Sequence, residues 1–167
     1  MYNAIAVANY FVRKGVDARS MLTPMQVNKL VFISHGWYLA VTSKPLILES
    51  PQAWKHGPVV SSVYHWLKRY GGDPVDVVAF PSSYEEDSFA ALNMDENAKR
   101  LLDAVWSGYG KKTGMELSSI THVQNSPWDI VWNREGAKNK IGVPIPDQLI
   151  REYYLKLKEK NASARPA

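Results

Sequence analysis

Cysteine is absent from the 167 residues. Disulfides and thiolate metal sites are therefore excluded, and the chain fits a reducing compartment. No uninterrupted apolar run is long enough to span a bilayer, and the first residues lack a signal-peptide pattern. These absences predict a cytoplasmic protein with no membrane attachment. Charge of one sign is also scarce: 20 basic and 16 acidic residues leave a formal net charge of +4. Lys111-Lys112, Lys138 with Lys140, and Lys156, Lys158 and Lys160 are scattered, and the last three fan around a presumed helix. That spread describes a solvated surface rather than a nucleic-acid footprint. There is no glycine-rich phosphate loop, no nucleophile elbow and no paired-histidine metal helix. The chain therefore reads as a non-enzyme, with no catalytic residue, cofactor or metal assigned.

What is present is concentrated between Leu22 and Gly71. Thr23-Pro24-Met25-Gln26 carries three helix-start signals: a capping threonine, a proline suited to the first turn and a glutamine that can close a capping box. The predicted helix, about residues 24–42, is apolar on most sides after its first turn. One stripe is Val27, Leu30, Val31, Trp37, Tyr38 and Val41; another is Met25, Phe32, Leu39 and Ala40, with Ile33 beside it. Helices apolar all round lie in the middle of a domain. Gly36 within it costs about 1 kcal/mol relative to alanine and marks a close neighbour. Leu46-Ile47-Leu48 and Gln52-Ala53-Trp54-Lys55 are short, proline-flanked pieces suited to a small β element near 46–55. Gly57-Pro58 is read as the start of a second helix, whose buried stripe is Val60, Val63, Tyr64 and Leu67 and whose stop is Gly71-Gly72.

Around this block the chain reads as helices and short connections. A first helix spans Tyr2 to Gly15, starting so early that no N-terminal DNA-binding domain is expected ahead of it. A brief strand is predicted through Val75, Val77 and Val78, followed by a polar arm with Glu85-Glu86-Asp87. Helices follow at Asp95 to Tyr109, from the capping box Thr113–Glu116 to about His122, and from Ser126-Pro127-Trp128-Asp129. Ile141 to Ile145 is a short apolar piece. Asp147 is expected to cap the last helix, and Asn161 to Ala167 to form a mobile tail. The whole is a mainly α, compact single-domain helical bundle around one buried helix, with residues 1–160 as the domain. At this length folding can bury roughly 70% of the unfolded surface, so a core without staples is feasible.

Four histidines invite chemistry. His35, on the buried helix, is expected to be a hydrogen-bonded core residue, and His65 to be solvated. In Trp54-Lys55-His56-Gly57-Pro58, two basic side chains precede the presumed helix start, where unpaired N–H groups favour an anion. The readings at this point are a docking point for a partner's carboxylate or phosphate, or a rigid structural corner. His122 is expected to fix the corner between two short helices. Six tryptophans and nine tyrosines supply core area, and any left exposed would anchor an interface.

The same residues carry a resemblance. Met25-Gln26-Val27-Asn28-Lys29-Leu30-Val31, Gly36-Trp37-Tyr38-Leu39-Ala40, Pro45-Leu46 and Ala53-Trp54-Lys55-His56-Gly57-Pro58-Val59 form the first part. Tyr64, Leu67 and Tyr70-Gly71 follow, then Leu117-Ser118, Thr121-His122 and Pro127-Trp128. Together they resemble the SocA-like, or Panacea, antitoxin domain family, which includes phage-associated GepA-like proteins. Departures are Asn28, where the family usually has glutamine, and Ile33-Ser34-His35, where aromatic and glutamine residues are frequent. The resemblance implies a helical domain with a small β element that binds and neutralises a cognate toxin. A related member delivers its toxin to a Clp-type protease, so an adaptor role is the alternative; a nucleic-acid or small-ligand binder ranks after both. Candidate partner-binding residues are Trp54, Lys55, His56, Gly57, Pro58, Tyr64, Thr121, His122 and Trp128.

Overall fold

Helix α2 (Pro24–Thr42) passes through the centre of the structure, a computed structural model that describes residues 1–76 and 94–163. Its start is the predicted one. The Thr23 side chain accepts from the Gln26 N–H, and the Gln26 side chain accepts from the Thr23 N–H at 2.9 Å. From Val27 to Gly36 every residue is buried. Met25, in the first turn, and Val41, in the last, are exposed.

Those covering elements are helices of different character. α1 (Ala4–Asp17) and α4 (Glu96–Tyr109) are amphipathic and lay Val7, Phe11 and Val12, and Ala98, Leu102 and Val105, onto the core. Asn3 and Asp95 cap them. α5 (Gly114–Thr121) begins at the predicted capping box, with Thr113 and Glu116 bonded to each other's backbone. α7 (Asp147–Ser163) lies along α2, and Gly36 permits the approach. A β-carbon at Gly36 would stand 2.5 Å from Cδ2 and Cζ of Tyr154. The neighbour that Gly36 was expected to admit is that ring. α2 and α7 are also joined by a hydrogen bond between buried His35 Nε2 and Asp147 Oδ1 at 2.9 Å. His35 is thus the bonded core histidine expected; Asp147, expected to cap α7, stands inside its first turn and its carboxylate bonds across to α2.

The small sheet corrects one sequence reading. β1 (Gln52–Trp54) pairs antiparallel with β2 (Gly57–Val59) in the register Trp54 to Gly57, leaving Lys55 and His56 as the turn. Gly57-Pro58 is therefore strand, not a helix start. Gly57 has φ of +103°, which breaks the approach to a helix and suits a tight reversal. Pro58 is accommodated because β2 is an edge strand. Helix α3 (Ser61–Leu67) starts four residues after Gly57, with Val60 at its cap, and a 3₁₀ turn at Lys68–Tyr70 ends it. The anion site imagined at a helix start on Gly57 has no helix to supply it. Tyr64 also leaves the predicted buried stripe and is exposed.

Other differences are local. Leu46–Leu48 forms no strand and makes one parallel bridge, Ile47 to Tyr2. The third strand, β3 (Val143–Pro144), comes from the short apolar piece before α7 and pairs with β1. Ser126 caps a short helix, α6 (Pro127–Asp129), which widens into a π turn at Ile130–Arg134. Val75 is buried and donates its N–H to the Leu22 carbonyl at 2.8 Å. The rest of the predicted strand at Val77 and Val78, and the acidic arm at Glu85-Glu86-Asp87, lie outside the described residues. α7 continues through Asn161 to Ser163, into the stretch expected to be tail; residues 164–167 lie outside the described residues.

Candidate functional site

Asn28 and Lys29 are polar residues on the buried part of an apolar helix, so both need partners. Asn28 finds two on one residue. Its Nδ2 donates to the Val60 carbonyl and its Oδ1 accepts the Val60 N–H, each at 2.9 Å. The amide thereby pairs with the chain as a neighbouring strand would, where β2 turns into α3. Lys29, 3% exposed, donates its Nζ to the carbonyls of His56 at 2.8 Å and Pro58 at 3.0 Å. Burial pushes the ammonium down to about 7. The two carbonyls oppose that push by stabilising the charged form.

The hairpin is held from the other side by α5 and α6. Trp128 Nε1 donates to the Trp54 carbonyl at 2.7 Å. Ser118 Oγ donates to the His56 carbonyl at 3.4 Å. His122 ends α5 with its Nδ1–H donating to the Ser118 carbonyl at 2.6 Å, and its ring lies 4.1 Å from that of Trp128. Burial holds this imidazole below the usual histidine value, with the nearby charges of Lys29 and His56 acting in the same direction. Trp128 stacks in turn on Trp132 at 5.9 Å and 15°. Gly57 is enclosed by these groups: a β-carbon there would meet Lys29 Nζ at 2.5 Å and His122 Cε1 at 2.7 Å. α2, α5 and α6 therefore converge on the backbone of five consecutive residues of the hairpin, Trp54 to Pro58.

The nine candidate residues divide accordingly. Lys55 and His56 are exposed at the turn, with Tyr64 exposed beside them and its ring edge-on to half-buried Trp54 at 4.8 Å. Gly57, Pro58, Thr121 and Trp128 are buried, and His122 is half-buried, so these form the frame beneath. Thr121 bonds within its own helix, donating Oγ1 to the Ser118 carbonyl at 2.9 Å. The sequence reading passed over Asn28, Lys29, Ser118 and Lys68 as site residues. A signal for the first two was available: adjacent polar residues on a helix apolar in every direction must bond to something across the core.

Between the hairpin, the first turns of α2 and the end of α3 lies a groove of about 350 Å³. Trp54, Tyr64 and Met25 line it with apolar surface, and Lys29, Lys55, His56 and Lys68 line it with basic groups. A wider depression of about 820 Å³, between α2, α4 and the end of α7, contains none of the nine candidates. Among the described residues no three histidine or carboxylate side chains are grouped to hold a metal ion. No helix among them is long and apolar enough to cross a membrane.

The frame makes a prediction of its own. Trp128→Phe keeps the aromatic body and removes the donor to the Trp54 carbonyl. The expected cost is about 1–2 kcal/mol, from a part-buried carbonyl losing its partner. A urea midpoint measured with an unchanged m value checks it.

A model of the family described as Antitoxin SocA-like, Panacea domain matches residues 27–129. The protein named Antitoxin SocA, from Caulobacter vibrioides (strain NA1000 / CB15N), is 25% identical over 158 residues, spanning 91% of this chain and 82% of that relative. No solved structure matches. The matched span contains every residue that clamps the hairpin, from Asn28 to Trp128, and by that match the chain belongs to the SocA-like, Panacea domain antitoxin family.

Proposed function

We propose that this protein is an antitoxin that neutralises a cognate toxin by direct contact, through the hairpin tip and the aromatic surface next to it. One observation carries the reading. The family match coincides with a frame that fixes a two-residue turn from below and leaves Lys55, His56 and Tyr64 exposed above it. A turn clamped at its carbonyls loses little conformational freedom on binding, which favours affinity. Exposed aromatic and basic side chains on a rigid base are suitable anchors for a protein interface. The relative named as an antitoxin supports the same role. Binding rather than catalysis, in the cytoplasm and in a phage or prophage setting, completes the proposal.

The test is co-expression with the product of the adjacent reading frame. The expected result is growth arrest by that product alone, relief by this chain, and co-purification of the two. Relief that persists in a host lacking Clp-type proteases supports occlusion by contact. Relief that disappears there, with a shortened toxin half-life in the normal host, replaces occlusion with delivery to proteolysis.

A further inference from the structure

The groove beside the hairpin has a chemical character that a general toxin-binding role leaves open. Four of its lining side chains are basic or can become so, Lys29, Lys55, His56 and Lys68, and none is acidic. The three lysines and the histidine come from α2, the turn and the end of α3, so only folding places them together. Lys29 lies at the floor. Protonated, it carries three N–H bonds, of which the His56 and Pro58 carbonyls take two. Lys55, His56 and Lys68 stand exposed at the rim. The walls between floor and rim are apolar: Trp54 and Tyr64 in edge-on contact, and Met25, 40% exposed. The cavity has room for a few side chains rather than for a folded domain.

We infer that this groove seats an acidic, apolar-bearing segment of the partner protein, with a carboxylate directed at Lys29 and an apolar or aromatic side chain laid against the Trp54–Tyr64 pair. The inference rests on the antitoxin reading and adds the chemistry of the partner. Charge complementarity selects the sign, since a basic segment would face the Lys55 and Lys68 ammonium groups at the rim with no carboxylate in the lining to receive it. The apolar walls favour a peptide over a bare anion, because their burial is available only to an occupant with apolar surface. Nucleic acid fits less well. It needs a basic track along the surface, and the remaining lysines of this chain are scattered.

The test uses the full chain and two capped hexapeptides, Glu-Asp-Phe-Leu-Asp-Glu and its amide counterpart Gln-Asn-Phe-Leu-Asn-Gln. Indole N–H resonances report binding, with the Trp54 signal assigned through Trp54→Phe. The acidic peptide should shift Trp54 and the amide peptide should not. Raising salt from low to high should weaken the acidic peptide about tenfold, as expected for charges screened at the rim. Lys55→Glu combined with Lys68→Glu should weaken it by a further factor of about ten without changing the melting temperature, since both side chains are solvent-exposed. Lys55→Arg with Lys68→Arg should retain binding.

Equal binding of both peptides, or tighter binding of inorganic phosphate or a thymidine dodecamer, overturns the inference. The toxin arm separates the two levels of the argument. Toxin capture retained by the double glutamate variant overturns the groove as the docking site while the antitoxin reading stands. Failure of the unaltered chain to neutralise any toxin removes that reading itself.

Discussion

Gly36→Ala should destabilise this protein by about 2 kcal/mol or more, although alanine is the better helix former by about 1 kcal/mol. The reason is the Tyr154 ring. The added methyl would lie 2.5 Å from two of its carbons, well inside van der Waals contact. Tyr154 has nowhere to go: it is 4% exposed and held edge-on by Trp37 at 5.2 Å, Tyr153 at 5.6 Å and Phe32 at 6.5 Å. Either the ring distorts its neighbours or α7 lifts from α2. Denaturant midpoints measure the loss, and a fall in melting temperature of roughly 4–8 °C should accompany it. Tyr154→Leu should be damaging alone, through lost aromatic contact, yet should recover part of the loss when combined with Gly36→Ala. A coupling of about 1 kcal/mol between the two sites would be the signature of their contact. A neutral or stabilising Gly36→Ala would mean that the close approach of α7 does not hold in solution.

Stability should rise as pH increases from 7 to about 9.5, by roughly 3 kcal/mol, and Lys29→Met should abolish the rise. The sign follows from where the proton resides. In the folded chain burial lowers the Lys29 ammonium to about 7. In the unfolded chain it keeps its ordinary value of 10.5. Between those values the unfolded state holds a proton that the folded state has lost, so raising pH favours folding. Above the unfolded value neither state holds it and the contribution is flat. His122, also lowered by burial, acts in the same direction but below its ordinary 6.5. Buried Tyr154, whose phenol is pushed up, acts oppositely near and above pH 10, which sets the upper edge of the window. Lys29→Met also strips donors from the His56 and Pro58 carbonyls, so it should be less stable than the unaltered chain at pH 9. The gap should narrow at pH 6, where the unaltered protein carries a buried charge. Parallel stability curves for the two proteins would show that Lys29 keeps its proton when folded.

The signals that proved readable in the sequence share one property: each is satisfied within a few residues. Capping boxes at Thr23 and Thr113, the serine-proline start at Ser126 and the apolar stripes of α1 and α4 need only their own turn or face, and all appear where the pattern put them. α2 could be recognised as central because a helix apolar all round has no solvent side. The Gly57-Pro58 corner failed for the complementary reason. Glycine followed by proline fits a helix start and a hairpin strand equally well by local rules. The choice was made by Lys29, 28 positions earlier, and by Trp128, 74 positions after Trp54, which bind the carbonyls of a strand-and-turn backbone.

Local pattern was enough to place most of the helices, the buried course of α2, the family and the close neighbour admitted at Gly36. Long-range packing alone made Lys55 and His56 the tip of a clamped hairpin, made Asn28 and Lys29 its fasteners, and brought Lys29, Lys55, His56 and Lys68 from three elements into one groove. Local patterns report what a segment can bury or cap on its own. A polar group in the core reports only that it has a partner, and the partner's identity depends on how distant segments pack.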